Sequence, residues 1–466
     1  MPRSYCVHPD HKQSVVLAMQ RNRFLTQGAL AGHLEIALST VNNFFRGLNV
    51  SVAKFEQICE ALTLDPGSLI NPADPVSEAL AAEPLTSNFY AYDPDWVGRE
   101  PLIESLLTQM NNACRLLMIT GIAGVGKTAL AELLTLRWTD NNSQFRLIRA
   151  NFDGQDPADS WASTAAQLLE DCGLSVSPEE RADAQLLNRR LVQHLQRSAY
   201  ILLIDSLEEI MQGNEADGWS RFKDSHAVSF FQAVLAAPSF SGRIMLTSQE
   251  LPSQLVEAGS RYRNFWFHHS LSGLSDSEQQ ALFDKAGFEI DTDPSRYLPR
   301  IGQAYEGHPL AIRVIMGEIS SRPFFGDVTA YWQRYGDEIE EVERAIAEAA
   351  AGQMQGGEDR WRLDRFTREL RRNVNKRLEQ TFARLERDAR YAYILLCEAA
   401  VYRCAVPDDW WLSHLEDWEQ TEEAQVAALD ALRDRNLVEE ATQNNQTLLR
   451  QHNLIRSLSL KHLQQL

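Results

Sequence analysis

Short apolar runs alternate with amphipathic stretches through the middle of the chain. Leu116-Leu117-Met118-Ile119, Phe145–Phe152, Tyr200–Ile204, Gly242–Leu246 and Asn264–His268 read as strands. Between them, Pro101–Met110, Leu130–Leu136, Trp161–Cys172 and Ala184–Ser198 carry apolar residues at helical spacing. Runs that are apolar throughout belong to strands covered on both faces, and their alternation with helices predicts a doubly wound parallel sheet. The flanks are helical in pattern. Residues 12–70 read as several short helices, and residues 71–93 lose periodicity, with Pro72, Pro75 and Pro84 marking a linker. From Leu274 helices resume, opened by the capping-box spelling Ser275-x-x-Glu278.

Bulk properties narrow the setting. A chain of 466 residues is expected to form roughly three domains of ordinary size. The net charge of −19 sets the chain as a whole against indiscriminate binding to nucleic acid or acidic membrane, leaving room only for a local basic face. The six cysteines include no C-x-x-C pair, which predicts reduced thiols and a cytoplasmic location. Neither an N-terminal apolar segment nor a run of about 18 apolar residues is present, so no leader and no membrane partner is expected.

The chemistry concentrates after the first apolar run. Gly121-x-x-x-x-Gly126-Lys127-Thr128 is the phosphate-loop spelling, set between a predicted strand and a predicted helix as that motif requires. Glycines let successive backbone N–H groups turn inward around phosphate oxygens, and the start of the helix adds free amides and partial positive charge. Gly121, Gly124, Val125, Gly126, Lys127, Thr128 and Ala129 are therefore expected to hold a nucleotide, with Lys127 on the β- and γ-phosphates and Thr128 on Mg²⁺. Tyr200–Asp205 is an apolar strand ending in a carboxylate, which places Asp205 beside the loop as the second magnesium residue. Glu208 follows as the candidate to orient or deprotonate the attacking water. Two acids at the start of a helix, favoured by its dipole, are the plainer account of Glu208 and Glu209.

Several segments resemble known families. Trp96-Val97-Gly98-Arg99-Glu100, the phosphate loop and Gly307-His308-Pro309-Leu310-Ala311 resemble the NB-ARC branch of the STAND ATPases, nucleotide-switched signalling proteins. The resemblance runs from Trp96 to Leu466. It implies that Val97 and Arg99 lie against the adenine and that Pro309 and Leu310 close the pocket. It further implies that Gln249 stands at the γ-phosphate-sensing position, usually an arginine, and that His452 of Gln451-His452-Asn453 contacts the β-phosphate of ADP. Serine at 206 and glutamine at 249 depart from the family pattern and imply slow ATP turnover or plain nucleotide holding. Phe24–Gly47 resembles the helix-turn-helix of the lambda-repressor and Cro type, with Glu35 at the usual turn glycine and Ala37 at the usual capping serine.

If that segment reads duplex DNA, Leu38, Ser39, Asn42 and Asn43 face the major groove, and Gln27 and Arg46 hold phosphates. With six basic against five acidic side chains, residues 1–70 have little electrostatic footprint, so a protein-docking module remains the alternative. The expected architecture is thus multidomain α/β plus α. A helix-turn-helix domain (1–70) and linker (71–93) precede a P-loop nucleotide domain (94–270), a helical lid (271–320), a charged helical connector (321–375) and a winged-helix domain (376–466). The implied function is an ADP/ATP-switched regulator in which ATP favours an open form able to associate with itself. The alternatives are an assembly switch that binds protein, or a true ATPase motor. The resemblance places ligand-sensing repeats after such a core, so the signal is expected from residues 1–70, residues 321–375 or a separate sensor protein.

Overall fold

The computed structural model describes residues 4–70, 91, 96–152, 160–214, 219–288, 297–353, 365–416, 418–443 and 446–466. The linker prolines and the glycine break at Gly356-Gly357 lie outside the described residues. Two compact units emerge. One gathers Leu85–Gly273 with Glu348–Arg371; the other gathers Met1–Pro84, Leu274–Ala347 and Arg372–Leu466.

The N-terminal residues of the composite unit form helices α1 (Lys12–Arg21), α2 (Gln27–Leu34), α3 (Leu38–Arg46) and α4 (Val52–Ala61). The Thr26 hydroxyl caps α2 by accepting from the Ala29 N–H at 3.0 Å. Glu35 ends α2 in the left-handed region at φ 54°, the backbone role for which glycine is usual, and Ala37 starts α3 with no side-chain cap. Ile36, Val41 and Phe44 are buried in the wedge between the two helices.

The sheet unit contains α5 (Glu100–Asn111), β1 (Leu116–Thr120), α6 (Lys127–Asn141), β2 (Arg146–Asn151), α7 (Trp161–Asp171), α8 (Ala184–Arg197), β3 (Tyr200–Asp205), α9 (Ser225–Ala236), β4 (Arg243–Ser248), α10 (Ser253–Arg261) and β5 (Trp266–Ser270). The five strands of its main sheet are all parallel, in the order β5-β1-β4-β3-β2. Burial on both faces explains why β1 and β3 read as unbroken apolar runs. Beneath the sheet, Trp161 packs against Phe230 and Phe231 and donates its indole N–H to Asn188 at 2.7 Å. Because β1, β4 and β3 are neighbours, the loops leaving their carboxyl ends converge, which is where open parallel sheets bind ligands. A small sheet of Met211–Asn214, Trp219–Phe222 and Leu251–Pro252 was not signalled by the sequence pattern.

The rest of the composite unit is mainly helical: α11 (Asp276–Lys285), α12 (Tyr297–Ala304), α13 (Pro309–Ser320), α14 (Val328–Gln353), α15 (Arg365–Asp388), α16 (Arg390–Glu398), α17 (Glu422–Asp434) and α18 (Asn453–Leu463), the later ends of α14 and the start of α15 clustering with the sheet unit. The capping box expected at Ser275 and Glu278 is present. A strand pair, Glu439–Gln443 with Gln446–Arg450, precedes α18. Glu318 of α13 is buried and accepts from Tyr331, Thr381, Arg377 and Arg384, a charged cluster that joins α13, α14 and α15. Among the described residues no helix is long and apolar enough to cross a membrane.

Candidate nucleotide site

The loop between β1 and α6 has the backbone its spelling requires. Gly124 and Gly126 lie at φ 81° and 96°, in the region that disfavours side chains. A Cβ at Gly121 would meet the Leu271 carbonyl oxygen at 2.7 Å, so the first glycine is dictated by close approach of the strand that exits β5. Gly126 is the residue from which α6 starts, leaving the first amides of that helix without intrahelical acceptors.

Lys127 is buried, and its ammonium donates to the loop's own Ile122 carbonyl at 3.0 Å. Burial pushes its pKa below the ordinary lysine value; Glu208 and Asp205 act in the opposite direction, and Arg371 adds to the depression. The Thr128 hydroxyl donates to Asp205 Oδ1 at 2.8 Å, and Thr247 at the end of β4 donates to the same oxygen. Arg149 of β2 bridges Glu132 at 2.5 Å and Asp205 at 3.6 Å. Ser206 takes a left-handed conformation, φ 57°, and turns the chain into the short 3₁₀ helix Leu207–Ile210. Glu208 then accepts from the Gln249 side-chain amide at 2.9 Å and from the Gln249 N–H at 3.1 Å. The carbonyl oxygen of the Gln249 side chain accepts from the Arg371 guanidinium of α15 at 2.5 Å.

Arg99 acts here as a brace. Its guanidinium is buried and donates to the carbonyls of Val125 and Ser272, both at 2.9 Å, tying the phosphate loop to the strand exit. Val97 is half-buried two residues earlier. His268 of β5 is paired with the Thr120 hydroxyl at 2.8 Å; burial, with His269 adding to it, drops its pKa to about 4.

A polyphosphate fits this arrangement. The glycine loop, the open start of α6 and a buried lysine whose contact is a loop carbonyl are the donor set for phosphate oxygens, and Val125 and Ala129 carry amides of the same stretch. Thr128 and Asp205 form the hydroxyl–carboxylate pair suited to Mg²⁺. Among the described residues no group of three or more His, Cys, Asp or Glu is placed to hold a metal. A cation at Thr128 and Asp205 would therefore draw its remaining oxygen ligands from phosphate and water.

The structure brings together Arg99, the loop residues, Asp205, Glu208 and Gln249 within the sheet unit. Pro309, Leu310 and His452 belong to the other unit. There Pro309 opens α13 behind a cap from His308, Leu310 is buried, and His452 caps α18 by accepting from the Leu454 N–H at 3.1 Å. Sequence reading missed Glu132, Arg149, Thr247 and Arg371. The signal for the first two was a charge inside otherwise apolar runs; Arg371 sits in a highly charged helix and had none.

The residues expected to face DNA are arranged differently from that expectation. Leu38 is 2% exposed, and a Cβ at Gly326 would meet its Cδ2 at 2.7 Å. Asn42, 7% exposed, donates to the Lys285 carbonyl at 2.9 Å. The Ser39 and Thr40 hydroxyls donate to Asp434 at 3.1 and 2.7 Å, and Lys54 reaches both Asp434 (3.1 Å) and Asp430 (3.3 Å). Asn43, Gln27 and Arg46 are half-buried. In this structure the Ser39 and Thr40 hydroxyls of α3 are thus met by Asp434 of α17, and the Asn42 amide by the end of α11.

Residues 87–250 match the family model described as Novel STAND NTPase 1. The chain is 27% identical over 242 residues to an uncharacterized WD repeat-containing protein of Nostoc sp., covering 49% of this chain and 18% of that relative, so it spans under a fifth of the relative's length. Among solved structures, a STAND protein with a tetratricopeptide repeat sensor from Pyrococcus horikoshii is 14% identical at a TM-score of 0.44, over 80% of this chain and 43% of that one. The ORC2 protein of Aeropyrum pernix, in ADPNP and ADP complexes, is 13% identical at a TM-score of 0.33, over 80% and 96% of the two chains. The family match covers residues 87–250, and the loop within that span has the backbone of a nucleotide-binding P-loop.

Proposed function

We propose that this chain is a nucleotide-switched STAND regulator with an NB-ARC-like order of domains, in which ADP favours a closed form and ATP with Mg²⁺ an open one. The observation that carries the reading is the junction of the phosphate loop with the end of β3: Thr128 and Asp205 share a hydrogen bond beside a buried Lys127. A ligand moves such an equilibrium only by its difference in affinity for the two forms, so the third phosphate is the deciding group. Pro309, Leu310 and His452 are the proposed nucleotide contacts of the helical unit in the closed form.

Turnover is proposed to be slow. Both oxygens of Glu208 accept from Gln249, which ties the carboxylate instead of leaving it free to take a proton from water. The test is nucleotide content and binding of the purified full chain. ADP or ATP should co-purify, or bind when added, and Lys127→Ala should abolish both; a folded wild-type protein with no affinity for either nucleotide refutes the reading.

The output is proposed to be DNA binding by residues 1–70, a helix-turn-helix pair formed by α2 and α3. Support comes from the capped start of α2, the left-handed turn at Glu35 and the buried wedge of Ile36, Val41 and Phe44. Since Leu38 is covered at Gly326, Asn42 by the end of α11, and Ser39 and Thr40 are bonded to α17, DNA reading requires α3 to leave all three first. A second reading has a specific observation in its favour: the covered α3 face already makes protein contacts, as an assembly module would. Salt-dependent retention of the ATP-loaded full chain on duplex DNA separates the two, and none at low salt favours assembly. The winged-helix identity of residues 376–466 and a cytoplasmic location belong to the same proposal.

A further inference from the structure

The sheet unit holds a cation that the phosphate-loop pattern does not predict. Gln249 follows directly on β4 and stands where the resembling families carry an arginine. Its amide is oriented at both ends. The NH₂ group donates to Glu208 at 2.9 Å, and the carbonyl oxygen accepts from the Arg371 guanidinium at 2.5 Å. A glutamine oriented in this way is a bridge: it turns one face to an acid beside the phosphate loop and holds a planar cation with the other.

We infer that Arg371 is a triphosphate-recognising residue, held at the site by Gln249 and supplying the positive charge that position 249 lacks. This rests on the nucleotide reading above and names the group that would tell three phosphates from two. The chemistry favours arginine. A guanidinium carries several N–H donors in one plane and a charge that its bond to the neutral Gln249 oxygen leaves in place. A neutral amide alone would offer hydrogen bonds without charge, and charge-assisted bonds are the stronger kind. The electrostatic neighbourhood agrees with this placement. After burial, and against the pull of Glu208 and Asp205, Arg371 contributes to the depressed pKa of Lys127, so the two cations sense each other. Two cations that repel one another are relieved by an added anion, which fits a further phosphate. The position is invisible in sequence because Arg371 lies more than a hundred residues from the loop, among other arginines of α15.

The plain alternative is that Arg371 only fastens α15 to the end of β4. The two accounts differ in what they do to nucleotide selectivity. In the full chain with Mg²⁺, dissociation constants are measured for a fluorescent non-hydrolysable ATP analogue and for fluorescent ADP, on wild type, Arg371→Ala, Arg371→Lys and Gln249→Ala. The expected result is a loss of about tenfold or more in affinity for the triphosphate with Arg371→Ala, as for a charged hydrogen bond to phosphate. ADP affinity stays within about twofold, because the residue senses only the third phosphate. Arg371→Lys recovers part of the triphosphate affinity, and Gln249→Ala lowers it with ADP unchanged. Equal losses for both nucleotides, or no change for either, overturn the inference while leaving the nucleotide reading in place. A wild-type protein that binds neither nucleotide overturns both. Should Arg371→Ala misfold by circular dichroism, the Arg371→Lys and Gln249→Ala pair decides, through the same ratio of triphosphate to diphosphate affinity.

Discussion

Asp434 at the end of α17 is the residue whose removal should most directly free the α3 face. It accepts from Ser39 at 3.1 Å and Thr40 at 2.7 Å and pairs with Lys54 at 3.1 Å. In Asp434→Ala the Thr40 hydroxyl, buried at 5% exposure, loses its acceptor, which costs on the order of 1–3 kcal/mol. Ser39 is half-buried, so water replaces its partner for about 0.5 kcal/mol. Lys54 keeps Asp430 at 3.3 Å, and its loss is limited to about 0.5–1 kcal/mol after discounting for partial exposure. Together these give about 3 kcal/mol, roughly a hundredfold shift toward an undocked α3. The contact also holds the Lys54 pKa above its ordinary value, the two aspartates outweighing burial, so undocking returns it toward normal. The assay is hydroxyl-radical footprinting of the full chain read at Leu38, a residue of the same α3 face that is 2% exposed with Gly326 against it. Labelling of Leu38 should rise in Asp434→Ala and rise less in Asp434→Asn, whose amide oxygen still accepts from Thr40. Leu38 labelling at the wild-type rate in Asp434→Ala, with the fold intact, would refute the assignment of Asp434 as the docking residue.

Two further substitutions test the electrostatics. Glu318→Ala leaves Arg377, which has no exposed side-chain surface, with Glu338 at 3.4 Å as its carboxylate and the neutral Tyr331 hydroxyl at 2.8 Å, and should cost about 3–5 kcal/mol. A fall of about ten degrees in the thermal midpoint is expected, and an unchanged midpoint would count against the cluster as a stabilising unit. His268 stays neutral in the fold down to about pH 4 while the unfolded chain takes up its proton near 6.5. The unfolded state therefore binds more protons as pH falls from 6.5 to 4, and stability drops by about 3 kcal/mol over that window, with no further loss from this residue below it. His268→Asn should remove that part of the acid limb in denaturant titrations; parallel pH profiles for the two proteins would contradict the assignment.

Local chemistry made much of the site legible. The glycines at 121, 124 and 126, Lys127 and Thr128 are spelled at fixed spacing because a phosphate-binding turn needs backbone freedom and a helix start at set positions. Asp205 was legible because a carboxylate ending an apolar run marks a strand's carboxyl end. The parallel sheet followed from strands too apolar to have a wet face. What only the tertiary structure decided were the partners that fold topology alone supplies. Arg371 reaches Gln249 across a chain separation that no periodicity encodes. The carbonyls that Arg99 braces, those of Val125 and Ser272, were set by what the fold leaves within its reach. Leu38 and Asn42 read as an outward-facing pair in their helix, yet Lys285, Gly326 and Asp434 cover that face. A helix can specify which side is polar, but its sequence does not say whether water, a nucleic acid or the chain's own carboxylates will meet it.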